Sequence, residues 1–144
     1  MGNQIYATLQ LELATLVRHI AALTPNETPG NLDRSGFLIL HHLKTNGPSG
    51  IKAIANHFKL DISTASRQAR VLEAKNCVYR MPNPNDKRAY TLAVTDKGEA
   101  DLASYRKAKI ARIQQLFGSW DETDLTEFAR LLEKSNQAIR ESDL

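Results

Sequence analysis

Residues 49–76 read Ser49-Gly50-Ile51-Lys52-Ala53-Ile54-Ala55-Asn56-His57-Phe58-Lys59-Leu60-Asp61-Ile62-Ser63-Thr64-Ala65-Ser66-Arg67-Gln68-Ala69-Arg70-Val71-Leu72-Glu73-Ala74-Lys75-Asn76. Two apolar series at helical spacing are separated by a short polar break. Ile51, Ile54, Ala55 and Phe58 mark the inner side of a first short helix, with Ser49 placed to cap it. Lys59-Leu60 makes the turn. Asp61 then caps a second helix by accepting its open amide hydrogens, and Ile62, Ala65, Ala69 and Leu72 fall on that helix's inner face. Asn76 ends it, because asparagine tolerates the left-handed conformation that usually calls for glycine. Two short helices joined by a tight turn predict a helix-turn-helix.

After Asn76 the period changes from helical to alternating. Cys77-Val78-Tyr79-Arg80-Met81 and Ala89-Tyr90-Thr91-Leu92-Ala93-Val94 read as strands. Pro82-Asn83-Pro84-Asn85-Asp86-Lys87-Arg88 reads as the loop between them. A hairpin directly after a helix-turn-helix makes a wing. Beyond it Thr95 caps a helix carrying Leu102, Tyr105, Ile113, Leu116 and Phe117, and a last helix begins near Asp121 with Leu125, Phe128, Leu131, Leu132 and Ile139.

On the N-terminal side, Ile5, Leu9, Leu13, Leu16, Val17, Ile20 and Leu23 form one apolar stripe, closed by the breakers Thr24-Pro25-Asn26-Glu27-Thr28-Pro29-Gly30. A further helix starts around Asp33, turns Phe37, Leu40 and Leu43 inward, and stops at Asn46-Gly47-Pro48.

A wheel of the helix after Asp61 puts Ser63, Thr64, Ser66, Arg67, Arg70 and Val71 outside, with Gln68 at the edge of the inner face. Small hydroxyls approach phosphates closely, and arginine forms a bidentate pair with guanine O6 and N7 in a major groove. Asp86, Lys87 and Arg88 stand at the wing, where a long cation suits a narrow minor groove and a carboxylate can hold it in place. Charge agrees with this reading. Residues 51–90 hold eight basic side chains (Lys52, Lys59, Arg67, Arg70, Lys75, Arg80, Lys87, Arg88) against Asp61, Glu73 and Asp86, a net of +5 in a chain of net +3. A basic middle between mildly acidic flanks is the footprint of a surface that meets phosphate. The candidate DNA contacts are Lys52, Ser63, Thr64, Ser66, Arg67, Gln68, Arg70, Asp86, Lys87 and Arg88.

Other functions are disfavoured. With 144 residues, 42% hydrophobic and 24% charged, the chain has an ordinary globular composition. Its apolar runs are too short to span a bilayer, and residues 1–23 lack the basic lead and apolar block of a signal peptide. The single cysteine, Cys77, forms no intrachain disulfide, which fits a cytoplasmic location. A cysteine opening a strand beside a core reads as a small buried apolar residue rather than a redox sensor. His41 and His42 are adjacent on a helix and point to different sides, so with His57 they make a poor metal site. No phosphate loop, nucleophile elbow or zinc-protease motif is present, so no catalytic residue and no cofactor are expected.

Leu32-Asp33-Arg34-Ser35-Gly36-Phe37, Gly47-Pro48, Ile54-Ala55, Ser63-Thr64-Ala65-Ser66-Arg67-Gln68, Leu72-Glu73-Ala74-Lys75, Pro84-Asn85-Asp86-Lys87-Arg88 and Val94-Thr95-Asp96-Lys97-Gly98 follow one another at fixed distances. In that order the chain resembles the MarR family of winged-helix transcription regulators. Asn76 and Val94 depart from the family's usual glycine and leucine, and Lys59 replaces a frequent turn glycine.

The resemblance implies a mainly α fold with a small β-hairpin wing. A winged helix-turn-helix at residues 32–98 is flanked by dimerisation helices at 1–31 and 99–144, all in one MarR-like domain. It further implies a homodimeric repressor on a palindromic operator of double-stranded DNA, with the second helix in the major groove and Arg88 in the minor groove. Members of the family often release DNA when a small aromatic or phenolic effector binds. The alternative is a winged helix that binds protein and never touches DNA, for which the +5 patch is not expected. A metal sensor of the ArsR type is disfavoured by the missing cysteine pair.

Overall fold

Fourteen buried side chains make one cluster, twelve from four helices and a hairpin and two, Leu32 and Cys77, from connecting segments, while the other two helices add none. The computed structural model describes residues 2–23 and 32–143. Its elements are α1 (Gly2–Leu23), α2 (Arg34–Asn46), α3 (Ile51–Phe58), α4 (Ile62–Ala74), β1 (Val78–Asn83), β2 (Asp86–Val94), α5 (Asp96–Phe117) and α6 (Glu122–Glu141). The predicted break from Thr24 to Gly30 lies outside the described residues.

Leu32, Ile39, Leu40, Ile54, Leu72, Leu92, Leu102 and Cys77 are fully buried. They draw α2, α3, α4, the hairpin and the start of α5 around one centre. Shortening one of these leucines to alanine costs about 2–5 kcal/mol. Phe37, Ile51 and Phe58, read as inward, are partly buried against the same cluster.

Helix ends follow local chemistry. Asp33 caps α2 by accepting the Gly36 amide at 2.7 Å. Gly47, at φ 86°, ends α2 with its amide on the Leu43 carbonyl. Thr95 caps α5 and Asp121 caps α6. Lys59 closes α3 at φ 54° and Asn76 follows α4 at φ 60°, so both substitutions for glycine adopt the left-handed conformation. The sequence placed Ser49 as the cap of α3, and this is corrected. Gly50 holds the cap position without a side-chain bond, while the Ser49 backbone bridges Leu92 of β2.

The wing also differs from expectation. β1 and β2 pair antiparallel from Val78–Val94 to Asn83–Asp86, so the turn shrinks to Pro84-Asn85 and most of the predicted loop is strand. Pro82 is tolerated because β1 is an edge strand of a two-stranded sheet.

α5 carries the fold away from this head. Gly98, Leu102 and Tyr105 are buried, whereas Ile110, Ile113 and Leu116 further along are exposed. Phe117, Trp120 and Phe128 stack edge-on and tilted, with centroids 5.0–6.0 Å apart, and fix the turn into α6. α6 buries no residue, and no described side chain of α1 is buried either.

Candidate nucleic-acid interface

The first turn of α4 is organised by one carboxylate. Asp61 Oδ1 accepts the Thr64 amide and the Ser63 hydroxyl, each at 2.7 Å. These two bonds hold the Asp61 carboxyl down at about 2, so it is ionised at neutral pH. The Ser63 hydroxyl is therefore engaged within the turn. Thr64 Oγ1 accepts from the Arg67 guanidinium at 3.4 Å, which leans that side chain along the helix.

Ser63, Arg67 and Arg70 are exposed on α4, and Lys52 is exposed on α3. Thr64, Ser66 and Gln68 are half-buried. The inner face needs one correction: Ala65, Ala69 and Leu72 are buried, but Ile62 is 55% exposed. The core ends at Ala65, and the first turn overhangs it.

At the wing tip, Asn83 Oδ1 accepts the Asn85 amide at 2.9 Å and closes the turn. Asp86 Oδ1 accepts the Arg88 backbone amide at 2.9 Å. The expectation that this carboxylate holds a cationic head is thus modified, since it fixes the backbone that carries the cation. Arg88 is exposed, and the side chain of Lys87 lies outside the described residues.

A clamp that sequence reasoning missed joins helix to wing. Arg80 Nε on β1 donates to both Glu73 carboxylate oxygens on α4, at 3.1 and 3.0 Å. Its guanidinium carbon lies 4.1 Å from the centroid of the Tyr90 ring on β2. The partners are seven and ten residues from Arg80, spacings that no single helix or strand makes adjacent.

The remaining candidates acquire plain roles. His41 stacks on Phe37 and meets Arg106 at 3.1 Å, while His42 faces His57 with ring centroids 4.2 Å apart. Among the described residues no three His, Cys, Asp or Glu side chains converge as a metal site requires. Cys77 is buried beside Asp101, with Sγ 3.4 Å from Oδ2, and burial pushes its thiol above the ordinary range. A thiol held protonated is a poor nucleophile. No helix among the described residues is long and apolar enough to cross a membrane.

Comparison with known proteins agrees with this geometry. The model of the MarR family matches residues 32–90. The HTH-type transcriptional regulator YxaD of Bacillus subtilis is 37% identical over 91% of this chain and 92% of its own length. The HTH-type transcriptional repressor MdtR of the same organism is 26% identical over 95% of this chain and 89% of its own. A MarR protein from Peptoclostridium difficile superposes with a TM-score of 0.76, at 21% identity, over 92% of this chain and 87% of that one. With the helix-turn-helix, the wing and the ordered motifs all in place, the chain belongs to the MarR family of non-enzymatic, DNA-binding winged-helix transcription regulators.

Proposed function

We propose that the protein is a homodimeric repressor that binds a palindromic operator and is released from it by a small aromatic or phenolic effector. The observation that carries the dimer is the exposed apolar surface of its outer helices. Ile5, Leu9, Leu13 and Val17 of α1, Ile110, Ile113 and Leu116 of α5, and Leu131, Leu132 and Ile139 of α6 all face outward. Monomeric proteins rarely expose contiguous apolar patches of more than a few hundred Å². A second copy, apposing its own α1, α5 and α6, removes this surface from water and closes the assembly with twofold symmetry.

Twofold symmetry in turn favours two half-sites about one turn of DNA, roughly 34 Å, apart. On this reading Lys52, Ser63, Thr64, Ser66, Arg67, Gln68 and Arg70 face the major groove and its phosphates. Asp86, Lys87 and Arg88 bring the wing to the minor groove. Occupation of such a site near a promoter obstructs polymerase, which makes repression the direct outcome and the cytoplasm the place of action.

Support for the effector comes from the seam between α2 and α5. Phe37 stacks on Tyr105 with centroids 4.7 Å apart, Lys109 lies over the Tyr105 ring, and Arg106 meets His41, which itself stacks on Phe37. Aromatic faces with adjacent cations suit a ring bearing a negative or phenolic oxygen.

Light scattering on the pure protein should give twice the chain mass, and selection of bound genomic fragments should return an inverted repeat. A stable monomer at micromolar concentration refutes the dimer. Recovery of fragments with no shared sequence refutes the operator.

A further inference from the structure

We infer that Ile62 reads the 5-methyl group of a thymine in the major groove. The inference rests on the DNA-binding role of α4 and adds to it a specific base-reading residue. Ile62 is the first residue of α4 and is 55% exposed, although its helical phase points toward the side occupied by Ala65 and Ala69. The core stops one turn short of it. The side chain is therefore a branched apolar group at the open end of the helix, and that end of a recognition helix is the one that reaches base edges.

Its neighbours decide what it can meet. Asp61 spends its carboxylate on the Thr64 amide and the Ser63 hydroxyl, and Ser63 donates its hydroxyl back into the turn. Thr64 is half-buried and accepts from Arg67. Asp61, Ser63 and Thr64 all make bonds within this turn, and the apolar side chain beside them is exposed past the end of the core. In the major groove the thymine methyl is the one apolar feature of the base edges. Phosphate and sugar offer nothing comparable. A protein partner fits less well, because a lone apolar side chain between Asp61 and Ser63 makes no docking patch. Ionised Asp61 disfavours phosphate at the same place, which turns the residue toward bases rather than backbone.

The test uses the full-length protein and the operator obtained by selection from random duplexes. Each thymine of a half-site is replaced in turn by deoxyuridine, which deletes only the methyl group. Wild type should lose roughly fourfold in affinity at one thymine per half-site, the transfer free energy of one methyl. Ile62→Ala, which alters both subunits, should lose about that factor at each half-site, roughly sixteenfold in all, and be indifferent to deoxyuridine at that position. Ile62→Val, which keeps a branched apolar group, should retain the thymine preference. Thermal melts of both variants matching wild type exclude a folding cause.

If wild type and Ile62→Ala respond alike to deoxyuridine at every position, the assignment is overturned while DNA binding stands. A protein that selects no sequence at all overturns both readings.

Discussion

Gly98→Ala sets two physical arguments against each other. In an exposed helix interior this change gains about 1 kcal/mol, because alanine loses less backbone entropy than glycine. Here a Cβ at residue 98 sits 2.2 Å from the Cys77 carbonyl oxygen and 2.9 Å from Val94 Cγ1. Relief requires about 1 Å of separation between the start of α5 and the segment before β1, given ordinary contacts near 3.5 Å. Two bonds span that junction, and a third caps α5 beside it. Thr95 N donates to Cys77 O at 3.0 Å, Thr95 Oγ1 donates to Asn76 O at 2.6 Å, and Gly98 N donates to Thr95 Oγ1 at 2.9 Å. Overpacking costs about 1–3 kcal/mol, and losing one or two of these bonds about 1 kcal/mol each. Set against the alanine gain, the net loss is about 1–4 kcal/mol. Urea melts followed by circular dichroism, at one fixed protein concentration so that association is constant, measure it directly. Gly2→Ala serves as the control, because nothing lies within 4 Å of its added carbon. Equal or greater stability of Gly98→Ala than of wild type refutes the close-approach argument.

Further outcomes are expected at the helix end, the candidate DNA contacts and the Asp61 cap. Asn76→Ala should lose about 1–2 kcal/mol in the same melts, because alanine is strained at φ 60°, while Asn76→Gly should lose nothing. Arg67→Ala should cost about 1–3 kcal/mol of discrimination at one base position, seen as operator affinity falling toward that for scrambled DNA. Arg70→Ala should instead weaken both DNAs and flatten the salt dependence by about one phosphate contact per subunit, and identical behaviour of the two variants refutes the division of labour. Arg88→Ala should weaken operator binding in a filter titration with an unchanged melting temperature, and unaltered affinity removes Arg88 from the interface. Asp61 has its folded pKa, about 2, below the ordinary 3.8, so its contribution is complete above that value and is lost as pH falls toward 2. Asp61→Asn, which keeps a cap acceptor without the titration, should lack that part of the acid loss, and identical acid profiles count against it.

What the sequence revealed and what it concealed divide by the range of the interaction. Every helix and both strands were legible, as were the caps Asp61 and Thr95 and the helix starts near Asp33 and Asp121, because periodicity and capping are set within a few residues. Asn76 was read as a left-handed helix end and is one, and Lys59, which stands for a frequent turn glycine, adopts the same conformation. Ser49 was misassigned because its backbone is recruited by Leu92, more than forty residues away. Ile62 was placed inward because a helical wheel assumes a core along the whole helix, and this core ends at Ala65. Two prolines made residues 82–88 look like an open loop, whereas an edge strand accepts Pro82 and an Asn83 side-chain bond tightens the tip. The Arg80 clamp and the His42–His57 pair needed the packing of separate elements, which one-dimensional spacing does not encode.

The Arg80 clamp bears on how such a regulator can change its target. Glu73 at the end of α4 and Tyr90 on β2 are both held by one side chain of β1, so recognition helix and wing are geared together. On the proposed DNA-bound arrangement, the angle at which one would enter a major groove would dictate where the other met the neighbouring minor groove. New base preferences within a half-site would then arise by exchanging side chains on a fixed tool, while the distance between half-sites would be set by the helices that pair the two subunits.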